Sequence, residues 1–78
     1  MKNNTNILQE QSFFSVFCIE HLAKKLRLSG YFVYELLTEK SDILDSYIIP
    51  NYDSLHTQSA EWIVEDLLEI MMERCVLK

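Results

Sequence analysis

A chain of 78 residues has room for one domain with one modest core, and a domain of that size hides only about 60% of the surface its unfolded chain exposes. Apolar residues make up 49% of it, with one glycine and one proline, a globular composition too poor in turn formers for an all-β fold of many hairpins. The net charge of -5 repels phosphate backbones and anionic lipid and attracts basic partners, so nucleic acid is a disfavoured ligand.

Residues 1–6 are polar and aperiodic and are expected to be disordered, leaving 7–78 as a single helical domain. Nothing reaches the roughly 18 consecutive apolar residues of a membrane span, and no apolar signal core follows Met1. A cytoplasmic protein with no membrane association is the expectation.

From Ile7 to Leu28 there is no glycine or proline, and apolar residues recur well past strand length, which predicts a long first helix. On a helical wheel Glu20, His21, Lys24, Lys25 and Arg27 share one side, and Phe13, Phe14 and Phe17 project to that side one or two turns earlier. The N-terminal half is apolar nearly all round. Such a helix is either the centre of its domain or a carrier of aromatic surface for another chain, and Phe13 and Phe17 are the candidates for that surface.

Ser29-Gly30 marks a break, with Gly30 suited to a left-handed helix end and Ser29 to capping the next helix. A second helix is predicted over Tyr31 to Glu39, its apolar stripe made of Phe32, Val33, Leu36 and Leu37. Ser41-Asp42 is the next cap. Ile43, Leu44, Tyr47 and Ile48 then form a short third helix, stopped by Pro50 through its restriction of the preceding residue. Asn51 to Thr57 is a turn or a single helical turn. Thr57 or Ser59 caps a last helix over Ala60 to Cys75. The fold class is all-α, a small single-domain bundle of about four helices.

The last helix has an ordinary core stripe in Ala60, Ile63, Val64, Leu67, Leu68, Ile70, Met71 and Cys75. Its other face is less ordinary. Glu61, Glu65, Glu69 and Glu73 form an i, i+4 ladder beside Asp66, with no cation three or four positions from any of the five. Each like-charge step costs roughly 0.2–0.5 kcal/mol, a real cost where stability is scarce. Trp62 lies among these acids. The face reads either as a solvated helix side or as a docking surface for a basic protein, with the acids steering encounter and Trp62 as anchor.

Cys18 and Cys75 lie in apolar stretches and are expected to be buried free thiols. Cys18, His21, His56 and Cys75 match no zinc-module spacing, so neither metal nor cofactor is expected. The polar turn Tyr52, Asp53, Ser54, Leu55, His56, Thr57 is expected to do local work, Asp53 and Thr57 satisfying backbone donors and His56 a carbonyl. Asp53 and His56 have only the adjacent Ser54 and Thr57 hydroxyls as nucleophiles, and an enzyme is not expected. A DNA-reading second helix would expose Glu35 and Glu39 with Lys40 as its one cation.

The run Phe14 to Glu20, then Leu28-Ser29-Gly30 with Val33, Tyr34, Leu36 and Leu37, then Tyr47-Ile48-Ile49, Tyr52 to Gln58 and Trp62 to Leu67, resembles a family of short bacterial proteins of unknown function. The likeness covers residues 12 to 72, nearly the whole domain, and the Leu-His-Thr element at 55–57 is its most specific part. Members are often encoded beside proteins resembling ADP-ribosyltransferase toxins, so the resemblance implies a neutralising or accessory partner of such a toxin. It supplies no site residues. A small acidic binder suits a toxin whose cleft holds an anionic dinucleotide, because the acids of the last helix would compete for the same positive surface.

The expected function is that of a protein-binding module acting through the acidic last helix. Two alternatives stay open: a small transcriptional regulator, alone or as a dimer, using Lys24, Lys25 and Arg27 on DNA, and a structural homo-oligomer that buries the phenylalanines.

Overall fold

The computed structural model describes residues 4–76. Helix α1, Asn4–Leu26, is followed by α2, Gly30–Thr38, a π-helical turn at Leu44–Ile48, the single-turn α3, Tyr52–Leu55, and α4, Ala60–Glu73. All are helical, and the described residues contain no strand. Residues 1–3 of the segment expected to be disordered lie outside the described residues, and α1 includes Asn4 to Asn6.

Helix α1 is the spine and packs along both α2 and α4. At 1.5 Å per residue it is ~34 Å long, and it accounts for the molecule's long axis of 43 Å against 25 and 21 Å. Its inner stripe is Phe14, Cys18 and Leu22, spaced i, i+4. That stripe meets Val33, Leu36 and Leu37 of α2, Ile43 and Ile48 around the π turn, Leu55 of α3, and Ile63, Val64, Leu67 and Met71 of α4.

The left-handed residue at the end of α1 is Arg27, with φ 60°, and Gly30 does not have a positive φ. The Leu28 N–H donates to the Ala23 carbonyl at 3.0 Å and that of Arg27 to Lys24 at 3.3 Å, the paired bonds of a Schellman end. The same closure recurs after α4. There Cys75 has φ 60°, its N–H donates to the Met72 carbonyl at 3.1 Å, and that of Val76 donates to Met71 at 2.8 Å. Gly30 instead opens α2, whose cap Ser29 accepts the Phe32 N–H at 3.1 Å.

These closures give two expected results. A Cβ on Gly30 would meet Ile19 Cγ2 at 3.8 Å, an ordinary contact. Gly30→Ala should therefore stabilise by about 0.5–1 kcal/mol through the unfolded chain. Arg27→Gly should add up to about 1 kcal/mol by removing a side chain from a left-handed position. Urea unfolding checks both, as raised midpoints at unchanged slope.

Pro50 does not stop the third helix in the expected way. Ile49, just before it, remains helical at φ -69°, ψ -46°. Proline has no N–H to give, and the ladder widens around it, with the Ile49 N–H reaching the Leu44 carbonyl at 3.0 Å. The run ends at Asn51, whose backbone N–H and side-chain Nδ2 both donate to the Tyr47 carbonyl, at 3.2 and 2.8 Å. Ser41 joins this turn to α2 by donating to the Leu36 carbonyl at 2.8 Å and accepting the Ile43 N–H at 3.3 Å. Ser59, and not Thr57, caps α4, accepting the Trp62 N–H at 3.1 Å.

Two apolar expectations are corrected. Cys75 is exposed because α4 ends at Glu73 and the chain turns away, whereas Cys18 is buried; both are free thiols. Phe32 is exposed on α2, since its three stripe companions already fill the contact with α1.

Candidate functional site

Helix α4 presents its core stripe inward and Glu61, Glu65, Glu69 and Glu73 outward, all four exposed. The ladder runs to the C-terminal end, where the last turn holds no basic residue and the C-cap Arg74 gives its guanidinium to Asp42 and Ser46. Trp62 is 46% exposed and sits over a shallow hollow of about 250 Å³ lined with Glu65, Asp66 and Glu69. An indole face beside three carboxylates is suited to the alkyl stem and charged head of a lysine or arginine.

Asp66 differs from the others. It is half-buried and accepts the hydroxyl of Tyr47, which fastens the π turn to α4. Burial, and then the Asp66 hydrogen bond, push the Tyr47 phenol up to about 12. Burial alone pushes the Cys18 thiol up to about 12. Both groups are neutral when protonated, and folding raises both values above 10.0 and 9.0. Their contribution to stability is therefore whole below about pH 9 and is lost as pH climbs towards about 12. Thermal melts on the alkaline side should show that decline, less steep in Tyr47→Phe.

Across the crease from α4, Lys24 and Lys25 of α1 line one concavity of about 500 Å³ with His21, Glu61, Val64 and Glu65. No ammonium or imidazole nitrogen there lies within 4.0 Å of a carboxylate oxygen; the ion pair found among the described residues is Arg74 to Asp42, at 2.8 Å. Arg74 also donates to Ser46 at 3.1 Å, holding the end of α4 to the π turn. Glu61 and Glu65 thus have cations nearby on another helix, while Glu69 and Glu73 belong to the open end of the ladder. The same arrangement weakens the positive field that Lys24 and Lys25 could offer to DNA.

Further along the crease the phenylalanines divide. Phe14 is core, edge-on to Tyr52 at 5.4 Å, while Phe13 is 71% and Phe17 36% exposed. Phe17 lies 4.3 Å from the His21 ring, centre to centre. With Glu10, Tyr52, His56, Gln58 and Ile63 the three phenylalanines line a groove of about 400 Å³. Glu10 went unnoticed in the sequence, although it lies three and four residues before Phe13 and Phe14 on the same helix side.

In the polar turn, His56 stacks on Tyr52 at 4.5 Å with the rings 10° apart. Its Nδ1 is 2.8 Å from the Tyr52 carbonyl oxygen, an acceptor only, so Nδ1 carries the proton. Thr57 donates to the Ser54 carbonyl at 2.9 Å, satisfying an acceptor and not a backbone donor as expected. Asp53 is exposed. Among the described residues, no three histidines, cysteines or acids gather in a metal-binding group. Nor is any helix among them long and apolar enough to cross a membrane.

A family model described as "Protein of unknown function (DUF3791)" matches residues 13–74. The chain belongs to that family. Comparison with curated proteins and with solved structures found no match. The matched span takes in the α1 aromatics, the polar turn and the whole acidic face of α4.

Proposed function

We propose that the protein is a binding module whose α4 face docks on a basic protein surface, as the neutralising or accessory partner of a bacterial toxin of the ADP-ribosyltransferase type. The observation that carries the reading is the exposed ladder Glu61, Glu65, Glu69 and Glu73 with Trp62 half-open beside its own hollow. Like charges four apart on a helix lower stability, and a cationic partner turns that cost into attraction. Desolvated aromatic anchors ringed by charge are where interface energy concentrates.

Within this face the roles differ. Trp62, Glu65 and Glu69 are the contact residues, Glu61 and Glu73 extend the field, and Asp66 stiffens the surface through Tyr47. The action is binding and not catalysis, without metal or cofactor, and in the cytoplasm. The toxin assignment comes from the family resemblance together with the acid field, which would compete with an anionic dinucleotide for a positive cleft.

The test is capture of the tagged protein's partner from lysate of its own host at low salt, beside the Trp62→Ala and Glu65→Lys variants. Retention of a toxin-like neighbouring-gene product by the parent and its loss from both variants is the expected result. Equal retention by all three would remove the α4 face from the account. Retention of DNA in place of protein would favour a regulator.

A further inference from the structure

We infer that two copies of the chain pair through antiparallel α1 helices about a two-fold axis at Phe17. At 100° per residue, Glu10, Phe13, Phe17, His21 and Lys24 all lie within about 40° of one another's mean direction on α1. Glu10, Phe13, Phe17 and Lys24 are exposed and His21 is half-buried, so this stripe lies at the surface. The spacing 10, 13, 17, 21, 24 is close to the alternating three-and-four step of a helix-pairing seam.

The order of residue types along the stripe selects the occupant. In an antiparallel pair centred on Phe17, position i faces position 34 minus i, counted from the sequence. Glu10 then faces Lys24 of the partner subunit, Phe13 faces His21 of the partner subunit, and Phe17 meets its own copy. Each charged pair occurs twice, as an isologous interface requires. A parallel pair would set Glu10 against Glu10 and Lys24 against Lys24. Glu61 and Glu65 border the Lys24 end, where Lys24 and Lys25 balance them. Glu10 accepts a long hydrogen bond from Tyr52 at 3.4 Å, which leaves its carboxylate open to a further donor.

The seam from Glu10 to Lys24 is ~21 Å long, one helix wide, and offers less than the ~800 Å² per partner of a standard interface. Association is accordingly expected at tens of micromolar chain and not at nanomolar, on the order of the weak end of specific interfaces. This inference rests on the order of residues along α1, with Glu61 and Glu65 of α4 bordering its Lys24 end.

Sedimentation velocity over rising concentration tests it. The parent should move from 9.2 kDa towards twice that mass. Glu10→Lys and Lys24→Glu should each remain monomeric at concentrations where the parent pairs, and the double variant Glu10→Lys with Lys24→Glu should pair again. Both positions are exposed, so far-UV circular dichroism should be the same for all four proteins. A parent that stays at 9.2 kDa throughout, or single variants that pair as well as the parent, would overturn the inference.

Discussion

Leu22→Ala is expected to be the most damaging single truncation in the core of α1, costing about 3–5 kcal/mol. Leu22 is fully buried one turn before the end of α1, the helix that packs on both α2 and α4. Removing its branched end opens a cavity inside the core cluster that α1 forms with α2 and α4. A domain of this length has a total stability of only about 4–12 kcal/mol at 0.05–0.15 per residue. The variant should melt roughly 15–30 °C lower, as read by circular dichroism. Phe13→Ala, on the same helix but 71% exposed, should lose less than about 0.5 kcal/mol. Similar losses for the two would contradict the placement of α1 as the spine.

Reversal of Glu65 and Glu69 to lysine is expected to lower partner affinity by about ten- to a hundredfold, because each attractive contact with a cation becomes a repulsive one. The stability of the single Glu69→Lys variant should move the other way. Glu69→Lys alone converts two like-charge steps, to Glu65 and to Glu73, into opposite-charge ones and places a cation near the helix C-terminus. A gain of about 0.5–1 kcal/mol is expected. Binding lost while stability rises is the signature of a face kept acidic for its partner. Thermal melts set beside capture assays read both halves, and a variant that binds as before would leave the ladder as a solvated helix side.

Much of the fold was legible because it rests on local rules. Periodicity identified α1, α2 and α4, Ser29 and Ser59 are caps that accept the N–H three residues on, and the single helical turn after Asn51 is α3. The misreadings came where a local preference met a tertiary demand. Gly30 was the better candidate for a left-handed residue than Arg27, but the Schellman bonds at Ala23 and Lys24 fix where α1 stops. Pro50 discourages helix at Ile49, yet the burial of Ile48 and the widened turn carry the helix to it. Cys75 fits the α4 stripe by spacing, and only the end of the helix at Glu73 takes it out.

For the candidate site, the acid ladder and Trp62 were readable because an i, i+4 repeat needs no tertiary knowledge. The division of Phe13 from Phe14 was not. The two differ by one helical step, and it is Tyr52, far along the chain, that covers one ring and leaves the other. Asp66 and Tyr47 are 19 residues apart, and no periodicity links a phenol to a carboxylate on another helix. Nor could the sequence show that Lys24 and Lys25 border the same crease as Glu61 and Glu65.

The most direct test of the acidic docking face is the salt dependence of affinity for the captured partner, measured for the parent and for Glu65→Lys/Glu69→Lys between about 50 and about 300 mM salt. A steep fall in parent affinity across that range, with a shallow slope in the variant, is the predicted result. Parent affinity that is flat with salt, and equal to that of the variant, would contradict it.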